Sequence, residues 1–127
     1  MRYVIRLAVC YVIRSITMSK TFDNGMICAS EQALIAEAAQ MDVILAEFKK
    51  QGSYILSAEE AEMVALAVFT PSKSGPEGSF QMAPDCVGQS AAKIAAQAGI
   101  EVPPNTTLLI ARASHVGMPY PLHVYHY

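Results

Sequence analysis

The chain has 127 residues, 53% of them hydrophobic and 16% charged, with a formal net charge of -2. That length amounts to about one domain, and so much apolar residue with so little charge excludes a disordered chain, which lacks the burial to offset its ordering entropy. Nine Lys and Arg against eleven Asp and Glu also exclude a module built to neutralise phosphates, so no nucleic-acid partner is expected.

The charges are unevenly placed. Arg2, Arg6, Arg14 and Lys20 fall in the first twenty residues with no acid among them, and the remainder carries five basic and eleven acidic residues. An organelle transit peptide, and hence an organelle matrix, is one reading of such a start. The preferred one is a core-facing element with its arginines on the wet side. Arg6 and Arg14 cut the apolar stretch into pieces too short for a secretory signal or for the roughly 20 apolar residues of a membrane span, so no membrane partner is expected. Residues 4–16 suit a helix, although their β-branched content leaves a strand open.

Thr21-Phe22-Asp23-Asn24-Gly25 is turn chemistry, since Asn and Gly tolerate left-handed backbone. A short apolar strand is expected around Ala33–Ala36. Met41, Ile44, Leu45 and Phe48 recur at helical spacing within 38–50, and Lys49-Lys50 before Gly52 suits a helix C-terminus. Residues 53–56 read as a strand. Ser57 followed by Glu60 is a capping box opening a helix to about Phe69, with Met63, Leu66 and Ala67 predicted on its buried face. The Pro-, Gly- and Ser-rich stretch 70–85 reads as a loop. A third helix over 90–98 is stopped by Gly99, and Pro103-Pro104 leads into a strand at 108–113. Strands separated by helices of this length predict an α/β layer arrangement.

Cys10, Cys28 and Cys86 are odd in number and lack CxxC spacing, which speaks against a disulfide framework or a zinc site. His115, His123 and His126 have no Cys or carboxylate at ligand spacing, so no metal is expected. A reduced, cytoplasmic setting follows. Cys28 stands apart because it comes just after a Gly-containing turn and is flanked by Ala29 and Ser30. A nucleophilic thiol needs substrate access and free backbone N–H groups for an oxyanion, and such a turn offers both. The competing reading is a small buried apolar residue. An accessible Cys28 also allows a thiol-based redox sensor.

The run MSKTFDNGMICASEQALI resembles the catalytic-cysteine segment of the CoA-acylating aldehyde dehydrogenases, especially the aldehyde dehydrogenase half of bifunctional aldehyde–alcohol dehydrogenases. EFKKQGSYILSAEEAEMVALAVF is similar to the helix–strand–helix that follows, and VGQSAAKIAAQAGIEVPPNTTLLIA to a further stretch of the same family. These runs cover roughly residues 18–113 in the right order. The resemblance implies part of the catalytic domain of the aldehyde dehydrogenase fold over 18–123, with a poorly matching segment at 1–17 and a non-matching tail at 124–127. It implies an oxidoreductase that takes acetaldehyde or a similar short aldehyde, with NAD and coenzyme A. Cys28 would be the nucleophile, attacking the carbonyl to give a thiohemiacetal and then a thioacyl-enzyme, with its own backbone N–H as an oxyanion donor.

On the same basis Asn24 and Gly25 would bind cofactor, or simply make the turn. Glu31 is a candidate base, although coenzyme A supplies its own thiol. Gly88, Gln89 and Ser90 are assigned to packing and helix capping ahead of binding. The family's dinucleotide-binding domain should precede the cysteine, yet 27 residues do so here, without a Gly-rich phosphate loop. The family's second oxyanion donor, an upstream asparagine, has no counterpart. Pro119-Tyr120-Pro121-Leu122-His123 resembles the approach to the family's His-Glu-Lys-Leu-Ser-Pro motif, but Val124 follows. A longer reading frame is therefore expected. The alternative is a catalytically inactive folded module that associates with itself through apolar surface the missing domain would cover.

Overall fold

The computed structural model describes residues 2–75 and 79–113, with side chains from Leu7 onward. Helix α1 spans Arg2–Thr21 and α2 spans Met41–Lys50, the latter prefaced by a 3-10 turn at Ala38–Gln40. Strand β1 (Ser53–Ile55), helix α3 (Ala58–Val68), strands β2 (Phe69–Pro71) and β3 (Phe80–Met82), helix α4 (Ala91–Gln97) and strand β4 (Leu108–Ile110) follow. This is the α/β arrangement that the alternation of elements predicted.

The centre is a parallel ribbon. β1 pairs with β4 in the register Ser53 to Leu108, Tyr54 to Leu109 and Ile55 to Ile110. Side chains alternate across a strand, so the ribbon buries two different faces. Ile55, Leu108 and Ile110 pack with Ile13 of α1 and with Ile44 and Phe48 of α2. Tyr54, Leu56 and Leu109 pack on the other side with α3 and α4, around Val64, Val68 and Ala95. The result is a helix layer, a two-stranded ribbon and a second helix layer.

Local chemistry sets the element ends. The Ser57 hydroxyl accepts from the Glu60 amide at 3.2 Å while Glu60 Oε2 accepts from the Ser57 amide at 2.7 Å, completing the predicted capping box. The Ser57 amide foremost, and then the Tyr54 hydroxyl that donates to Oε1 at 2.9 Å, hold the Glu60 carboxyl below the usual carboxylate range. Ser90 caps α4 in the simpler way, accepting from the Lys93 amide at 3.3 Å. α2 ends at Lys50, and the chain turns through Gly52 at φ 85°.

Three sequence expectations are corrected. Residues 31–37 have no regular secondary structure, so the strand expected at Ala33–Ala36 is absent, and Ile35 is 95% exposed. An apolar run becomes a strand only where a neighbour completes its hydrogen-bond ladder, and the described strands pair elsewhere. On α3 the buried stripe is Ala61, Val64, Ala65 and Val68, whereas Leu66 is 83% exposed and Met63 is also exposed. Small residues at that i, i+3, i+4, i+7 spacing let α3 approach α4 closely at Ala95, which has no exposed surface. The 70–85 segment is not simply a loop. β2 and β3 form an antiparallel hairpin, closed by the Ser72 amide on the Ser79 carbonyl at 2.9 Å, and a 3-10 turn follows at Pro84–Cys86. Pro71 sits at the end of an edge strand, where its missing N–H costs no ladder bond.

The open question at residues 4–16 is resolved as helix: α1 turns Ile13 and Thr17 inward and leaves Arg14 exposed. Ile13 is 1% exposed and is the contact through which α1 grips α2. Ile13→Ala should lower the unfolding free energy by about 2–4 kcal/mol, from lost burial plus the cavity left behind. Urea denaturation of the two chains measures that difference.

Candidate active site

Cys28 lies on the segment between α1 and α2. Thr21 closes α1 with its hydroxyl on the Thr17 carbonyl at 2.7 Å. Asp23 (φ 49°) and Asn24 (φ 51°) then both adopt left-handed backbone, and Gly25 (φ 76°) continues it. A residue with a Cβ resists that region by about 1–2 kcal/mol, and Asp and Asn are among the few that visit it readily. The Met26 amide bonds the Asp23 carbonyl at 3.1 Å, and the Ser30 amide bonds the Ile27 carbonyl at 3.1 Å, so two small turns bracket Cys28. The cysteine itself is exposed.

The loop is tied to the rest of the fold at a point 64 residues away. Asn24 Nδ2 donates to the Gly88 carbonyl at 3.0 Å. A Cβ on Gly88 would lie 3.2 Å from Met26 Sδ, and Gly88 has φ +69°. The FDNG turn and the VGQSA turn, separate motifs in the sequence, are thus one junction. Asn24 spends its amide holding the loop to Gly88, and Gly25 packs over Lys20, whose carbonyl would be 3.4 Å from an added Cβ. Gln89 bonds the Cys86 carbonyl through its amide, and Ser90 is the α4 cap.

Lys20 is a site residue that sequence reasoning did not single out, and Ser30 was read only as a small neighbour of Cys28. Lys20 Nζ donates to Gln32 Oε1 at 2.9 Å and to Ser30 Oγ at 3.4 Å. Lys20 entered the sequence reading only as a unit of charge, and no spacing marks a lysine that folds back ten residues along the chain. Glu31 is turned toward α1. A hydrogen bond from the Ser19 hydroxyl, foremost, holds its carboxyl below the usual range, which makes it a poorer base.

The other two cysteines differ in kind. Cys86 is buried, with Sγ 3.3 Å from Gln97 Oε1 and 3.6 Å from the Ala67 carbonyl, and desolvation pushes its thiol pKa up. Cys10 is exposed, and hydrogen bonding to the Glu47 carboxylate raises its pKa. Both effects disfavour the reactive thiolate.

A cleft of about 610 Å³ lies elsewhere, lined by Leu45, Lys49, Ile55, Ser57, Glu60 and Arg112 among others, and includes no residue of the cysteine loop. It sits where β1 leads into α3, the place where a dinucleotide phosphate would meet a helix N-terminus. Here the Ser57 hydroxyl already takes the Glu60 amide, and the Glu60 carboxylate stands at that helix end. With that amide taken and a carboxylate beside it, this cleft does not fit a dinucleotide phosphate. Among the described residues no group of three or more His, Cys, Asp or Glu could hold a metal, and no helix is long and apolar enough to cross a membrane. His115, His123, His126 and the 119–127 segment lie outside the described residues.

No protein-family model matches the chain. An aldehyde-alcohol dehydrogenase of Clostridium acetobutylicum is 41% identical over 105 residues, covering 83% of this chain and 11% of that protein. An acetaldehyde dehydrogenase (acetylating) of Bilophila wadsworthia is 40% identical over 101 residues, covering 76% of this chain and 20% of that protein. The crystal structure of an acetylating aldehyde dehydrogenase from Geobacillus thermoglucosidasius superposes with a TM-score of 0.77 at 38% identity, over 90% of this chain and 24% of that one. The chain is homologous to a segment of the acylating aldehyde dehydrogenases. It spans between about a tenth and a quarter of the length of these relatives. For the acylating aldehyde dehydrogenase segment the α/β fold is thus established by sequence and by superposition together.

Two outcomes are expected from the geometry of this segment. Iodoacetamide at pH 8 should label Cys28 at least about tenfold faster than Cys86, with Cys10 also slower than Cys28, because exposure and thiolate fraction control alkylation; peptide mass spectrometry resolves the three sites. Gly88→Ala should lose about 1–2 kcal/mol of stability, from a positive φ and a shifted Met26, as read by thermal unfolding.

Proposed function

We propose that this chain carries the nucleophile of an acylating aldehyde dehydrogenase, with Cys28 as the attacking residue. The observation that carries the reading is the exposed thiol on a loop bonded to itself on both sides and docked to Gly88. In this reading Cys28 Sγ adds to the carbonyl carbon of a short aldehyde such as acetaldehyde. A C–S bond forms, the carbonyl π pair moves onto oxygen, and the thiol proton leaves to solvent. The backbone N–H of Cys28 faces the oxyanion so formed.

Asn24 and Gly25 fix the loop's approach to substrate and cofactor in this proposal, and Asn24 does so through the Gly88 carbonyl. NAD as hydride acceptor and coenzyme A as acyl acceptor belong to the whole protein. In this proposal their binding is assigned to parts of the whole protein beyond this segment, since the chain spans 11% and 24% of two relatives. The proposal takes 18–123 as part of the catalytic domain, with 1–17 a poorly matching segment and 124–127 a non-matching tail. A cytoplasmic location, or an organelle matrix, suits such an enzyme.

A second reading has its own support. In it the 127-residue chain by itself is a folded module without turnover, associating with itself or with a longer relative. Leu7, Tyr11, Met18 and Phe22 are exposed along one side of α1 and its exit, which suits such association.

One experiment tests the nucleophile and separates the two readings. p-Nitrophenyl acetate should acetylate the chain at Cys28, with a burst of one nitrophenolate per chain that Cys28→Ala abolishes, because acyl transfer to the thiol needs neither cofactor. With acetaldehyde, NAD and coenzyme A the same chain should give no NADH. Cys28-dependent NADH formation would instead make the chain a complete enzyme, and the absence of acetylation would remove Cys28 as the nucleophile.

A further inference from the structure

The peptide group joining Ile27 to Cys28 is anchored at its carbonyl end. The Ile27 carbonyl accepts from the Ser30 amide at 3.1 Å and from the Ser30 hydroxyl at 2.8 Å. That hydroxyl accepts in turn from Lys20 Nζ at 3.4 Å, and the same ammonium donates to Gln32 Oε1 at 2.9 Å. Ser30 alone is buried between Phe22 and Gln40. Lys20 is half-buried, and desolvation, opposed by the charge of Glu31, pushes its amine below the ordinary range. Keeping a lysine partly out of water costs free energy unless its donors are used, and here they are used on the loop itself.

A trans peptide is planar, with its N–H pointing away from its C=O. Anchoring the Ile27 carbonyl toward Ser30 and Lys20 therefore turns the Cys28 N–H to the opposite side. No acceptor among the described residues takes that N–H. A hydroxyl that accepts from an ammonium is also a stronger donor, and the polarisation passes along the chain of bonds to the carbonyl and its amide.

We propose that Lys20, acting through Ser30, orients and polarises the Ile27–Cys28 peptide so that the Cys28 N–H is held as the oxyanion donor for the adduct formed at its own thiol. The proposal rests on the reading of Cys28 as nucleophile. Lys20 and Ser30 are positioning residues, since both act through the Ile27 carbonyl.

The test compares two reactions of Cys28 in the 127-residue chain. In acetylation by p-nitrophenyl acetate the sulfur–acyl bond forms, the acyl–oxygen bond to p-nitrophenolate breaks, and the thiol proton passes to buffer through an intermediate bearing an oxyanion. Alkylation by iodoacetamide displaces iodide at a saturated carbon and forms no oxyanion, so it reports only exposure and ionisation of the thiol. Lys20→Met and Ser30→Ala should each slow acetylation about tenfold, part of the 10²–10³ lost when an oxyanion donor is removed outright. Alkylation should stay within about twofold, since it needs only an accessible thiolate. Lys20→Arg should restore most of the rate. The double variant should be no slower than Ser30→Ala, because the lysine works through the serine.

Equal losses in both reactions, additive losses in the double variant, or unchanged acetylation would each overturn the proposal. If Lys20→Met does not fold, Ser30→Ala carries the same comparison. An unaltered chain that is not acetylated overturns the nucleophile reading instead. Amide exchange at Ser30 then decides the anchor by itself: faster exchange in Lys20→Met than in Lys20→Arg supports it, and equal exchange overturns it.

Discussion

The register between β1 and β4 is the constraint on which the rest of the molecule depends. Both strands are covered on both faces, so a slip of one residue would move Ile55 and Ile110 to the α3–α4 side and Tyr54 and Leu109 to the α1–α2 side. Each face is shaped for its own set. The α3–α4 layer is lined by small residues such as Ala61 and Ala95, and the α1–α2 layer offers Ile13, Ile44 and Phe48. The register also fixes the cysteine loop indirectly. α1 is held by Ile13 against α2, and the loop leaves the end of α1.

Much of this was legible in the sequence because the signals were local. The Ser57-to-Glu60 spacing and the Lys49-Lys50-Gly52 ending each act within about one turn of backbone and the helical period in 41–48 within little more than two, and the structure follows them. The family resemblance was legible for the same reason, being carried by contiguous runs. What failed was decided by partners far along the chain. Ala33–Ala36 is apolar but has no ladder beside it, and the buried face of α3 depends on how near α4 can come. The β2–β3 hairpin was masked by Pro, Ser and Gly residues whose strand role depends on pairing.

The candidate site divides in the same way. The turn before Cys28 could be read directly, since Asn24 and Gly25 are a local pattern for left-handed backbone. The bond from Asn24 to Gly88 spans 64 residues, and the return of Lys20 to Ser30 and Gln32 follows no periodic rule. Both are contacts made only by the folded chain. They also change how the loop is understood. Its shape comes from a few directed polar bonds and a left-handed turn, with little apolar packing beneath it, so its geometry is set by hydrogen-bond angles more than by volume.

The two-stranded ribbon has one more property. Among the described residues β1 and β4 pair only with each other, so the outer side of each strand keeps a row of amides and carbonyls without a ladder partner. Such edges accept further strands without disturbing what is already paired. The ribbon is thus a seam from which a wider sheet can grow in both directions, with its two helix layers serving as a finished middle section.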